Sequence, residues 1–576
     1  MTMIAKKFSL HSPWIFFGSL LLYSALLLLS IGRQGISWDE QNDLWVAQSY
    51  LASPGGWLTG SEVDPSQTRL PMAVVAVIYE LIGISDLITA RVVSCFVGGL
   101  TLLAVYLYCK QQYEQFTGTL ACLLLATSPF FLSFARVAFT ETDIYLACAF
   151  AWLLVSVAQF RAHPTLGWAA VVGILLGLAL SAKFTAVVIL PAVWYAIVQN
   201  KLSDPERNLP RVKDSTVIFW IVWLLICTIC GVIAGQKIHS ASELSSSRLI
   251  LYCFVLTGWL APLVWSMLHR SSTASRKTSA FFVTGLALLT FLVLPPEHLT
   301  NPAILQSLWW RAGHEMAFNL GFLFEAAGLH VGSLIFKSSP LIGAGLLLSL
   351  LLTASQWKDR PEVRFPILLV SFYFGGLILL PLAQTFYIIP LLPLLAIFAA
   401  DQFLRLFAKR RSAALVLAGL AVILWGIDMA FSYPDYNLNG YQWLGERVIA
   451  GRSSVGYRSI IQTPSDGVEQ VITWLNGHAQ PGDRVRSYLL ETHIIQAVAP
   501  HPAYQIENGF ANPKPNPDYV VVEINTQVQQ SWWTDTSQGD VFQPPYDPEW
   551  LEVNYQRMFT VRRAFGIEMA SVWKKK

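Results

Sequence analysis

The sequence predicts a polytopic α-helical membrane protein, with about 13 membrane-spanning helices and a small C-terminal α/β domain outside the membrane. Three observations predict it. Hydrophobic residues make up 54% of the 576 residues and charged residues only 13%, where soluble domains carry about 25% charged residues. Apolar runs of spanning length recur from residue 14 to residue 431. From 432 to 576 the composition changes, and Pro, Gly, Asn and Asp separate short amphipathic stretches.

The first run, 14–31, follows Lys6 and Lys7 and has no small-residue cleavage site after it, so it is read as a retained span. Further runs lie at 88–108, 116–134, 143–160, 166–181, 183–199, 216–234, 249–267, 279–295, 339–355, 365–382, 387–405 and 413–431. An N-terminus on the cytoplasmic side places the basic clusters at Lys110, Arg161, 201–213, 269–277, 357–364 and 409–411 on that side, as the positive-inside rule requires. The outer face then receives loop one (32–87), 135–142, the turn at 181–183, 235–248, a long loop (296–338) and the tail. The stretch 166–199 is divided at Lys183, because a lysine in mid-bilayer is costly and an outer turn relieves it. The chain thus divides into a membrane domain, 1–431, and an extracytoplasmic α/β domain, 432–576. In that domain a helix is expected at 467–478 and strands at RVRSYLL (484–490), PDYVVVEIN (517–525), FTVRRAF (559–565) and IEMASVWK (567–574).

Within loop one, PMAVVAVIYELIGIS (71–85) is too short to span and fits an interfacial or re-entrant helix. DEQNDLWVAQSYL (39–51) reads as a second surface helix, with Asp39 and Asp43 on one face and Leu44, Trp45 and Ala47 toward lipid. The seven cysteines fall in or beside apolar runs, and Cys227 and Cys230 are read as helix-packing residues rather than a metal or redox pair. The chain has no phosphate loop, no metal-spaced His/Cys set and no G-x-S-x-G. It also has no Asn-x-Ser/Thr acceptor site, in keeping with a bacterial source and a plasma-membrane location. A net charge of +3 says little about partners, and no nucleic-acid partner is expected.

Chemistry is expected where polar residues collect on the outer side: Asp39, Glu40 and Asp43; Arg136, Glu141 and Asp143; Lys183; and Glu297, His298, Arg311, His314, Glu315 and Lys337. An acidic loop facing cations suits transfer from a lipid-borne phosphate donor. A carboxylate takes the proton of an attacking hydroxyl and cations meet the departing phosphate. Taken singly, each residue is equally ordinary as surface polarity, as a cap (Asp143), as a snorkelling lysine (Lys183) or as an interface anchor (Arg91). Asp43 is read as ordinary polarity. Composition and topology therefore leave an enzyme and a transporter or flippase both open, with a non-catalytic scaffold as a third class.

Several stretches taken together resemble the integral-membrane GT-C glycosyltransferases. The nearest likeness is to glycosyltransferase family 39, the protein O-mannosyltransferase-like proteins of bacteria, related to the aminoarabinose lipid A transferases. The stretches are WDE (38–40), ARVAFTETD (135–143), GLALSAKFTA (177–186), WWRAGHEMAFNLG (309–321) with FKSSPL (336–341), FYIIPLLPLLAIFAA (386–400), and YPDYNLNG (433–440) followed by GVEQVITWLN. One departure is Gln384, which stands where the family often carries a basic residue. The resemblance implies a GT-C fold and inverting transfer of a sugar from a polyprenyl-phosphate donor to a hydroxyl of a protein, lipid or envelope glycan. It implies Asp39 as general base and Glu40 orienting acceptor or base. Arg136 and Lys183 meet the phosphate, with Arg91 a weaker candidate. Asp143 holds Arg136 or lines the sugar pocket, and His314, Lys337 and Glu141 stand second. No cofactor or metal is expected to be required; the partners are the lipid-linked sugar, the acceptor and membrane lipids.

Overall fold

The computed structural model describes residues 12–31, 38–52, 70–138, 142–198, 276–294, 323–338, 340–379, 385–410, scattered positions between 412 and 427, 468–488, 504–508, 516–523, 548–562 and 568–576. The spans expected at 216–234 and 249–267, the cysteines at 227 and 230, and Glu141, His314 and Gln384 lie outside the described residues.

The membrane part is built from α1 (Ser12–Leu28), α2 (Trp38–Ser49), α3 (Leu70–Ile82), α4 (Leu87–Gln112), α5 (Gln115–Ala126), α6 (Pro129–Ala135), α7 (Asp143–Ala162) and α8 (Leu166–Ala182). These are followed by a 3₁₀ turn (Phe184–Ile189), α9 (Leu190–Val198), α10 (Arg276–Val293), α11 (Leu323–Ser338), α12 (Pro340–Ser355), α13 (Pro361–Leu379), a second 3₁₀ turn (Thr385–Leu391) and α14 (Leu392–Lys409). Among the described residues four helical segments are long and apolar enough to cross a membrane alone: Leu87–Gln112, Asp143–Ala162, Pro361–Ile378 and Tyr387–Lys409. The α5–α6 pair makes a fifth span if counted as one. The other described runs are helical but shorter.

Local chemistry explains the helix boundaries. Asp86 caps α4 by accepting from the Thr89 amide at 2.7 Å. The run at 116–134, expected as one straight span, is bent by 69° between α5 and α6. Pro129 is the cause: it has no N–H to continue the ladder and disfavours a helical residue before it. Ser128 restarts the helix, its hydroxyl accepting from the Phe131 amide. Tight packing relies on small residues, as expected inside a bilayer. Gly98 makes room for Tyr23, whose hydroxyl donates to the Cys95 carbonyl at 2.9 Å. Gly173 and Gly177 let α8 lie backbone to backbone on α10; a Cβ at Gly177 would overlap Thr290 and the Ala287 carbonyl.

Loop one is less superficial than its pattern suggests. Ala47, with Val46 and Tyr50, packs into a cluster with Met72, Val75, Ala76 and Tyr79 of α3. Leu44 packs against this cluster, and Trp45 alone of the three expected lipid-facing residues is exposed. Asp43 is buried, not solvated. Two short helices shield their apolar faces against each other, which reverses the orientation expected from α2 alone.

In the tail, α15 (Val468–His478) precedes β1 (Arg484–Tyr488), β2 (Gln505–Asn508) and β3 (Tyr519–Glu523). Then come α16 (Pro548–Asn554), β4 (Tyr555–Arg562) and β5 (Glu568–Lys575). The five-stranded mixed sheet has the order β2-β1-β3-β5-β4, with β1 parallel to β2 and β3, and β5 antiparallel to β3 and β4. Val471, Ile472 and Leu475 of α15 cover one face with Val485, Tyr519, Val521 and Val572. β2 and α16 are additions to the expected elements.

Candidate functional site

The sequence marks charged residues on separate segments; the fold brings several of them to one end of the bundle. Arg91 lies in the second turn of α4, Arg136 just after α6, Asp143 at the first residue of α7 and Lys183 just past the last residue of α8. Asp39 and Glu40 lie in the first turn of α2. Lys337 is in the last turn of α11, so part of the long loop expected at 296–338 is helical.

Two ion pairs organise the region. Lys183 ends α8 in extended backbone and turns its side chain inward. Its ammonium is 2.6 Å from Asp143 Oδ2 and lies over the Tyr387 ring, 3.7 Å from the centroid. The side chain of Lys183 is 13% exposed and that of Asp143 is fully buried. Helix α8 ends where it was expected to, but Lys183 does not snorkel to water. Asp143 pairs with Lys183 rather than with Arg136. Thr142 stands at the N-cap of α7 without a side-chain cap bond, so Asp143 serves as the partner of a cation.

The second pair is Glu40 with Arg91. Arg91 Nε and Nη2 donate to Glu40 Oε1 and Oε2, both at 2.8 Å. Nη1 donates to the Ile31 carbonyl at 2.8 Å, and Glu40 Oε1 also accepts from the Ala138 amide at 2.7 Å. Arg136, two residues before Ala138, is 1% exposed. Lys337 is buried with its ammonium 5.6 Å and 5.7 Å from the ring centroids of Phe130 and Phe134 on α6. The backbone of Asp39 is helical.

Buried polar atoms lie on the same segments as the pair. Asp143 Oδ1 and Ser181 Oγ are buried without a hydrogen-bond partner, and the hydroxyls of Thr185 and Tyr373 are buried facing each other. Ser181 and Thr185 flank Lys183 in the chain, and Tyr373 of α13 approaches Thr185 and Asp143. Buried polar groups are ordinarily satisfied. Asp143 Oδ1 and Ser181 Oγ therefore have hydrogen-bonding capacity that the described residues do not use. Sequence reading singled out Lys183 and Asp143 but missed Ser181, Thr185 and Tyr373; hydroxyls within apolar runs were the available signal. Among the described residues no group of three His, Cys, Asp or Glu could hold a metal ion.

A second charged layer joins the opposite ends of the helices and was also missed. Arg360 donates to Asp401 Oδ2 at 2.6 Å, Glu362 at 2.7 Å and Gln356 at 2.9 Å, and Arg405 donates to Asp401 at 3.1 Å. Gln402 extends the network to Thr353 at 3.0 Å. Asp401, a lone acid late in an apolar run, was the signal.

Comparisons with known proteins extend the likeness found in the motifs. Residues 68–234 match the family described as dolichyl-phosphate-mannose-protein mannosyltransferase. The matched segment holds Arg91, Arg136, Asp143 and Lys183. No curated protein matches the chain. Among solved structures, the chain is similar to the Archaeoglobus fulgidus oligosaccharyltransferase in complex with zinc and sulfate (14% identity, 97% of this chain and 73% of that chain, TM-score 0.48). It is also similar to Archaeoglobus fulgidus AglB with an inhibitory peptide and a dolichol-phosphate (12%, 98% and 74%, 0.47). A third is ArnT from Cupriavidus metallidurans bound to undecaprenyl phosphate (14%, 97% of both chains, 0.47). The resemblance to integral-membrane glycosyltransferases thus rests on a family match as well as on the motifs.

Proposed function

We propose that this protein is an inverting membrane glycosyltransferase. It moves a sugar, mannose or a relative, from a polyprenyl-phosphate donor to a hydroxyl of a protein, lipid or envelope glycan. The reaction runs on the outer face of a bacterial plasma membrane, with the N-terminus cytoplasmic and the 432–576 domain outside. The observation that carries the reading is the buried Lys183–Asp143 pair, with one carboxylate oxygen of Asp143 left unused. Together with a family match whose description names a dolichyl-phosphate-linked mannose, it supports a receptor for a sugar phosphate.

The chemistry follows from the charges. Asp39 takes the proton of the acceptor hydroxyl as its oxygen attacks the anomeric carbon. The bond from that carbon to the phosphate oxygen breaks on the opposite face, and its electron pair leaves with the polyprenyl phosphate. Lys183 and Arg136 hold the charge that develops on the phosphate, and Ser181, Thr185 and Tyr373 donate to its oxygens. Asp143 Oδ1 accepts from a sugar hydroxyl. Lys337, His314 and Glu141 stand second in this scheme. No residue of this scheme calls for a metal.

The rival class, a transporter, fits less well. The charged residues named here stand at helix ends, whereas transport sites are built near the bilayer midplane on interrupted helices. The test is transfer of radiolabelled sugar from polyprenyl-phosphate-mannose, then other polyprenyl-linked sugars, to membrane extract. Asp39→Asn is expected to lower transfer at least about 1,000-fold at equal expression, since a carboxamide cannot take the proton. Equal transfer by wild type and variant removes Asp39 from the mechanism. Counterflow of the lipid-linked sugar without transfer supports the transporter.

A further inference from the structure

We infer that Arg91 and Glu40 act as one positioning unit, which fixes the helix bearing Asp39 against the turn bearing Arg136, and that Arg91 is not a ligand of the donor phosphate. The inference rests on the transfer reaction proposed above for its kinetic readout only.

The geometry is a three-way junction. Glu40 follows Asp39 in the first turn of α2, so the partners that hold the Glu40 carboxylate anchor the turn that bears Asp39. That carboxylate is held on both oxygens by the planar fork of Arg91, the strongest arrangement available to such a pair. Its Oε1 also accepts from the Ala138 amide, which ties the chain two residues beyond Arg136 to the same point. Arg91 in turn grips the Ile31 carbonyl, just beyond the end of α1. One buried pair therefore joins the end of α1, the start of α2, the second turn of α4 and the turn after α6. These segments are far apart in sequence: 51 residues separate Glu40 from Arg91 and 98 separate Glu40 from Ala138.

The same geometry argues against a phosphate role for Arg91. The residue is 1% exposed, and its Nε, Nη1 and Nη2 are turned onto protein acceptors. A phosphate binding there would have to displace a carboxylate held in a bidentate grip within a dry site. Lys183, by contrast, has its side chain partly open and buried polar atoms with unused capacity beside it. A reaction that needs a base on one segment and a phosphate-binding cation on another depends on the distance between them, and an error of about 1 Å costs on the order of 100-fold in rate. Glu40 sets that distance because both segments bond to its carboxylate.

The experiment compares Glu40→Gln, Arg91→Gln, the double Gln/Gln variant and Arg91→Lys in the full-length protein in detergent, with polyprenyl-phosphate-mannose as donor. Each single Gln variant is expected to lower kcat about 100-fold while leaving the donor KM within about twofold. The double variant is expected to be no worse than either single one, since residues that act as a unit are not additive. Arg91→Lys, which keeps the charge and loses the fork, is expected to fall with the Gln variants rather than rescue. If a single variant fails to fold because it leaves one buried charge alone, the neutral double variant carries the comparison.

A second readout does not need turnover. In an Asp39→Cys background, the rate at which a membrane-impermeant maleimide labels the introduced thiol, corrected for labelling of the parent protein, is expected to change at least fivefold when Glu40→Gln is added. A donor KM raised tenfold or more by Arg91→Gln but not by Glu40→Gln overturns the inference. Multiplicative losses in the double variant, or an unchanged labelling rate, overturn it equally. If wild type transfers no sugar, the transferase reading fails, and the labelling result still decides whether the pair positions residue 39.

Discussion

The two charged layers of the membrane bundle differ in how completely they satisfy themselves. At one end, Asp401 accepts from Arg360 and Arg405, Arg360 reaches on to Glu362 and Gln356, and Gln402 passes the network to Thr353. At the other end, Lys183 and Asp143 pair, but Asp143 Oδ1 and the Ser181 hydroxyl have no partner. Both layers carry the desolvation cost of charge in an apolar bundle. In the Asp401 layer both oxygens of the acid are used by arginine. In the Asp143 layer one oxygen of the acid is left over.

Substitutions can break or sharpen this contrast. The largest effect is expected from Lys183→Met, which should lower transfer by about 100- to 1,000-fold, the range for removing a group that meets developing negative charge. That variant also strands the Asp143 carboxylate, so Lys183→Met with Asp143→Asn should recover the fold but not the activity. Recovery of transfer by the double variant breaks the contrast. Next is Asp401→Asn, which removes the shared acceptor of two arginines and should destabilise the protein by about 3 kcal/mol in detergent denaturation. The specific activity of the folded fraction should stay within twofold; a hundredfold loss there makes the Asp401 layer part of the reaction. The smallest and sharpest is Thr185→Val. It should lower donor kcat/KM about tenfold, near 1.5 kcal/mol for a hydrogen bond to a charged group. The ligand-free protein should lose no more than about 1 kcal/mol of stability, the worth of one hydroxyl contact to Tyr373. A larger loss of stability with unchanged transfer reverses the assignment of Thr185.

Much of the bundle was legible in the sequence because hydropathy and charge act locally. The end of α8 at Lys183 followed from the cost of a buried lysine, and the expected tail strands at 484–490 and 517–525 contain β1 and β3. The break at Ser128–Pro129 was written in the sequence and outweighed by the hydropathy of 116–134. What local patterns could not reveal is pairing. Ala47 points inward because α3 covers it, and Asp43 is buried near Tyr145 of α7; nothing in 39–51 announces either partner. Asp143 could pair with either of two cations by sequence, and the antiparallel packing of α7 on α8 selects Lys183. Strand β2, only four residues long, is a strand because β1 lies beside it.

The order of assembly is implicit in which helices hold which contacts. Asp143 and Lys183 are 40 residues apart on consecutive helices. The pair can close within one hairpin. The glycine seam of α8 has no such early partner: Gly177 waits for Thr290 on α10, more than 100 residues later. The receptor charges are thus matched before the helix wall behind them is built, and a slip in that late seam would strand a formed ion pair in an unfinished bundle.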